Sequence, residues 1–240
     1  MTILARKFGA PALVVAVVAG ALWCAPAAGA ASGDGDGKIA QAGVLVLSDL
    51  PTTWSEHKRD TSSDTAADAA AAKISSCKTY RSFRQSLDVV KRSRVRSSDF
   101  KLGDSTFNNT VNVFANEKSA DKVLTTFGNS SIATCIDKLF TVLFQQQVAS
   151  NKATAAQIKG IEVDVKPYDI ANYGDDTVAY EGTATVSFKD GTTLGIGLGN
   201  TAVRVGRAVS DYSYTVFDQA SVDALSPAVE KSVARLQAAL

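Results

Sequence analysis

Residues 1–30 constrain this chain more than any other stretch, because they set the compartment in which the rest must fold. Arg6 and Lys7 precede an uncharged apolar run from Phe8 to Leu22, and small residues ending in Ala28-Gly29-Ala30 follow. A basic start, a short apolar stretch and an A-x-A site make the layout of a secretory signal, and the run is short for a spanning helix. Cleavage after Ala30 would remove Cys24 and leave Cys77 and Cys135 as the remaining thiols. Two cysteines in an exported chain are expected to pair, giving one Cys77–Cys135 disulfide. Lipid anchoring at Cys24 is the competing arrangement. It wants a small residue before the cysteine, and Trp23 stands there.

Removing the signal takes two of the 25 basic residues and none of the 24 acidic ones, leaving the remainder within one charge of neutral. No global charge therefore draws this chain to nucleic acid or to an anionic membrane. The remaining residues, about 210, suffice for one domain burying on the order of 70% of its unfolded surface. No further long apolar run follows, so no second membrane segment is expected. The expected organisation is a signal over 1–30, a flexible Gly/Asp linker over 31–43 and a domain over 44–240, acting as a monomer.

Periodicity divides that domain into helices and strands. An alanine-rich helix is expected over 66–80, with Cys77 near its end. Strands are expected over 93–101 and 106–114, joined around Gly103-Asp104. Asn116 can cap a helix whose Ala120, Val123, Leu124 and Phe127 share a face, with Gly128 as a left-handed stop. A second helix from Ser131 carries Ile132, Cys135, Ile136, Leu139, Leu143 and Phe144 on one side. The second half alternates with period two, and Asp190-Gly191 is a two-residue hairpin signal. Ser226-Pro227 is expected to open the last helix, with proline in its first turn. The sum is an α+β domain, an antiparallel sheet with helices packed on it.

Residues able to carry chemistry are few. His57 is the single histidine and lies in a polar stretch, without a visible orienting partner. With both remaining cysteines oxidised, neither a metal site nor a cofactor is expected. Gly103-Asp104-Ser105 resembles an esterase nucleophile block, so a serine esterase using Ser105 is a rival reading; the setting between two strands favours a β-turn. Gly195-Ile196-Gly197-Leu198-Gly199 opens no helix, so it reads as small residues letting a helix pack close to the sheet. Glu162 and Asp164 alternate with apolar neighbours and belong to a solvent face.

One charge feature stands out. Lys73, Lys78, Arg81, Arg84, Lys91, Arg92, Arg94 and Arg96 are opposed only by Asp88. Arg81, Arg84, Arg92 and Arg94 are the candidate anion-binding residues, on a segment anchored by Val89-Val90. The later aromatics Tyr168, Tyr173, Tyr180, Phe188, Tyr212, Tyr214 and Phe217 suit a sheet core, with room for a pocket between sheet and helix.

Several landmarks together resemble a known group. They are Leu50-Pro51 with Trp54, a helix ending in Cys77, and paired strands leading to Val113-Phe114. A Ser119-Ala120-Asp121 helix, a helix bearing Cys135, and Val203-Arg204-Val205-Gly206-Arg207 before a last strand and helix complete the set. This pattern resembles actinobacterial exported domains, among them the extracellular sensor domain of mycobacterial serine/threonine kinase H and related secreted or lipid-anchored proteins. The resemblance implies an α/β sandwich and a sensor-like, non-catalytic module that binds an envelope ligand (a lipid, a glycan or a protein). A lipid-anchored carrier in envelope lipid transport is a further rival. The chain departs from the kinase sensor, which has two disulfides, in retaining two cysteines.

Overall fold

Two periodicities, 3.6 and 2, separate the chain into helical layers and one sheet. The computed structural model describes residues 34–60, 62–150 and 152–240. The signal-like segment, Cys24 and Ala30 lie outside the described residues. The first half contains α1 (Asp34–Ala42), β1 (Ser55–His57), α2 (Ser62–Lys73), α3 (Lys78–Val90), β2 (Lys91–Arg96), β3 (Asp99–Leu102) and β4 (Ser105–Phe114). Next come α4 (Glu117–Phe127), α5 (Ser130–Ser150) and α6 (Lys152–Gln157). The second half is β5 (Ile158–Tyr168), β6 (Asp176–Phe188), β7 (Thr193–Val205), β8 (Ala208–Val216) and α7 (Gln219–Ala239).

Among the described residues the eight strands form one sheet in the order β1-β3-β4-β8-β7-β6-β5, with β2 also paired to β4. Every pairing is antiparallel. The expected α+β class is therefore the fold observed. On one face α2 to α5 bury Phe83, Leu124, Phe127 and Ile136 against Tyr180, Ile196 and Leu198. On the other, α1 and α7 bury Ala40, Ala228, Val233 and Leu236 against Phe107, Val111 and Tyr212. With both faces covered, the central strands β4 and β8 are buried at every residue. The disulfide joins Cys77, in a 3-10 turn before α3, to Cys135 of α5, with an S–S distance of 1.99 Å.

Several local expectations differ from the structure for identifiable reasons. From Asp34 onward the Gly/Asp stretch is helical rather than a free linker, because α1 has partners. Ala40 is fully buried, and Asp36 accepts a 2.6 Å hydrogen bond from Arg207. The helix expected over 66–80 breaks at Ile74 into α2 and α3. Tyr80, Phe83 and Leu87 of α3 turn inward, while Val89 is 83% exposed and anchors nothing. Gly128 ends α4 at φ −70°, so it is not a left-handed stop. A Cβ there would stand 3.3 Å from Val178 Cγ2, and close packing on β6 explains the glycine. The last helix starts at Gln219, where the Asp218 carboxylate accepts from Ser221 N at 2.8 Å, so Pro227 lies inside it.

Candidate functional site

The register of the sheet gathers polar side chains in the middle of its α2–α5 face. Successive residues of a strand point to opposite faces, so Asn108, Thr110 and Asn112 of β4 share this face. Thr110 lies opposite Asp211 of β8, Asn108 opposite Ser213, and Ser213 opposite Asn200 of β7. From β2, Arg96 lies opposite Thr110, and Arg94 opposite Asn112. All the β4, β7 and β8 members of this group are buried. The rows form a polar cluster inside the sandwich, where an apolar layer would be the ordinary solution.

Charged side chains converge on it from the covering elements. Arg84 of α3 is 5% exposed and its Nη2 donates to both carboxylate oxygens of Asp68, at 3.0 and 3.2 Å. Arg94 Nε donates to Asn112 Oδ1 at 2.8 Å. Arg59 Nη1, from the loop after β1, donates to the Asn109 carbonyl at 2.8 Å. Asn108 Nδ2 donates to Asp99 at 2.9 Å, and Asn200 Nδ2 to Ser213 Oγ at 2.8 Å. Six buried atoms nevertheless have no hydrogen-bond partner among the described residues. They are Asn108 Oδ1, Thr110 Oγ1, Asn112 Nδ2, Asn200 Oδ1, Asp211 Oδ1 and Thr215 Oγ1. Leaving a buried polar atom unpaired costs about 1–3 kcal/mol, so such a concentration on one patch of sheet is expensive unless something polar fills it.

Burial pushes the Asp211 carboxyl well above the usual carboxylate range, against the opposing pull of the Asn200 amide and of Arg59, Arg84 and Arg94. The folded state then holds this proton more tightly than the unfolded chain. Its contribution to stability is fully present below the ordinary carboxyl value, about pH 4, and is lost as pH rises through the folded value. Asp211→Asn, a neutral isostere, should remove that loss. In urea denaturation above pH 4, the variant should gain on the parent by at most about 1.4 kcal/mol per pH unit. A difference between the two proteins that does not change with pH would contradict the assignment.

The four candidate arginines separate. Arg84 and Arg94 lie against the polar cluster, whereas Arg92 is exposed. Arg81 Nη1 instead donates to the Ala71 and Ile74 carbonyls, at 2.6 and 3.2 Å, closing the end of α2. The sequence reading missed Asp211 and its amide and hydroxyl neighbours. Their alternation with apolar residues was the one signal present, and it ordinarily marks a solvent face.

Other candidates lie elsewhere. Ser105 is fully buried, and its Oγ accepts from Phe217 N at 3.0 Å and from the Ser221 hydroxyl at 2.9 Å. A serine held this way fixes the start of α7 and offers no exposed nucleophile. His57 is exposed on β1, with Nε2 3.0 Å from Ser55 Oγ. Glu162 and Asp164 are exposed on β5, and Asp164 accepts from Lys166 at 2.7 Å. Among the described residues no three His, Cys, Asp or Glu side chains cluster as a metal site would require. No helix among them is long and apolar enough to cross a membrane. No family model matches the chain, and no match is found among curated proteins.

Proposed function

We propose that the chain is an exported, non-catalytic binding module of an actinobacterial-type cell envelope. Its ligand would be a small hydroxyl-rich group, a free sugar or the sugar of an envelope glycan, held by the polar cluster. The signal-like N-terminus and the disulfide support export. The observation that carries the ligand class is the mixture of unpaired groups. Asn112 Nδ2 offers a donor, Asn108 and Asn200 offer acceptors, and Thr110 and Thr215 can do either. An anion would pair with donors alone and leave the acceptors facing it. A cation would face Arg84 and Arg94. A sugar hydroxyl donates and accepts at once, and so fits both sets.

Thermal unfolding against a panel of monosaccharides and disaccharides, with inorganic phosphate alongside, tests this. A ligand present at about 100 times its Kd stabilises by about 2.7 kcal/mol, which for a domain of this size raises Tm by roughly 5–10 °C. At least one sugar should do so, and Thr110→Val, which keeps the side-chain shape but loses the hydroxyl, should abolish the shift. A response to phosphate alone, or to no sugar, would overturn the ligand assignment. Chemical conversion of a bound sugar would overturn the non-catalytic one.

A further inference from the structure

The opposite face of the sheet holds a cavity. One row of the register runs Glu181 of β6, Gly199 of β7, Tyr214 of β8 and Phe107 of β4. Glu181 and Tyr214 are two strands apart, about 10 Å at the usual strand spacing. They nevertheless meet, because Gly199 between them has no side chain. A Cβ there would stand 2.0 Å from Tyr214 Cζ. The tyrosine ring therefore lies across β7, and its hydroxyl donates to Glu181 Oε1 at 2.8 Å. Gly197 makes the same allowance for Val216, whose Cγ2 would be 2.7 Å from an added Cβ. Side chains of β8, rather than the helix expected from sequence, are what these glycines admit.

Above this floor the N-terminal half of α7 and the chain after β5 form walls. Tyr173 Oη lies 2.8 Å from Ser226 Oγ and joins the two walls, while Tyr168 stands at the rim, 50% exposed. They enclose about 200 Å³, lined by four tyrosines (Tyr168, Tyr173, Tyr212 and Tyr214) and by one charged residue, Glu181. From Pro167 to Phe188 the chain carries Asp169, Asp175, Asp176 and Glu181 and no basic residue. Burial and the neighbouring Glu181 carboxylate raise the Tyr214 phenol, which keeps it a neutral donor to that carboxylate.

We propose that this cavity binds a small organic cation with a methylated ammonium head. Aromatic rings attract a cation through their negative faces, and recognition of quaternary ammonium groups is the best-known use of such cages. The carboxylate supplies the countercharge, and no lysine or arginine lines the cavity to oppose it. A metal ion is a poor occupant, since calcium takes six to eight oxygen ligands and this site offers one carboxylate among rings. The volume lies below the roughly 300 Å³ at which drug-sized ligands are accommodated, which limits the occupant to a head group with a short tail. The site lies on the other face of the sheet from the polar cluster, and its assignment does not depend on that one.

Isothermal titration with choline, tetramethylammonium and 3,3-dimethylbutan-1-ol, the uncharged carbon analogue of choline, tests the proposal. Choline should bind saturably, and the neutral analogue at least about tenfold more weakly. Glu181→Gln should weaken choline about tenfold. Tyr168→Ala changes a half-exposed rim residue and should also weaken it, with Tm unchanged. Equal affinity for the neutral analogue would show an apolar pocket and overturn the proposal. So would the absence of saturable choline binding to the full chain, or undiminished binding by a folded Glu181→Gln protein.

Discussion

Replacing Cys77 and Cys135 together with alanine should lower stability by about 4 kcal/mol, seen as a fall in Tm of roughly 8–16 °C. The bond joins residues 58 apart in sequence, and in the chain-entropy account a loop of that length carries a term of this size. The structure gives the bond a local task as well. It pins the turn between α2 and α3 onto α5, and α2 and α3 supply Asp68 and Arg84 above the polar cluster. Both cysteines are fully buried, so the alanine pair also leaves a small void where sulfur was packed. Hydrogen exchange should quicken first in α2 and α3, while β7 and β8 keep their protection. A loss below about 1 kcal/mol would mean that the unfolded chain is already restrained over this segment.

Features written in short stretches of sequence were the ones that could be read. A turn falls where Asp190-Gly191 marks it, though it spans three residues, Lys189 to Gly191, with Gly191 alone at positive φ (88°), rather than the two expected; Asn116 caps α4 by accepting from Ser119 N at 2.9 Å. The inward face of α5 follows its apolar spacing from Ile132 to Phe144. Helix α3 was hidden because its inward positions, Tyr80, Phe83 and Leu87, are outnumbered by charged and polar residues. Arg84, on the same helix, is buried although arginine seldom is unless paired, and its partner Asp68 belongs to another element. The polar cluster was hidden for a related reason. Asn108, Thr110 and Asn112, like Asp211, Ser213 and Thr215, alternate with apolar residues as a wetted strand face would. Only the second helical layer turns that face inward. The cavity under α7 depends on Gly199 lying between Glu181 and Tyr214, a coincidence of register that pairing across three strands creates.

Arg235→Met should cost about 3 kcal/mol, because this side chain fastens the start of the domain to α7. Its Nη1 and Nη2 donate to the two oxygens of Asp49 at 2.6 and 2.7 Å. Nε donates to the Ala42 carbonyl at 3.2 Å, and Nη2 also to that of Val44 at 2.9 Å. The Asp49 side chain is 3% exposed, so removing the guanidinium leaves a buried carboxylate without its countercharge, a change that costs about 3–5 kcal/mol. The lower end applies here, since 37% of the Arg235 side chain is exposed and solvent screens part of the interaction. Neighbouring contacts limit the damage to this corner. Ser232 Oγ and Asn109 Nδ2 still donate to the Gly43 carbonyl, at 2.7 and 2.9 Å, and Lys231 to the Asp49 carbonyl at 3.0 Å. The double change Asp49→Leu with Arg235→Met should regain much of the loss, because a buried ion pair replaced on both sides by apolar groups is often near neutral. Chemical denaturation of the two single variants and the double variant reads the coupling directly. Additive losses, with no recovery in the double variant, would show that the carbonyl contacts of Arg235, rather than its pairing with Asp49, hold this segment in place.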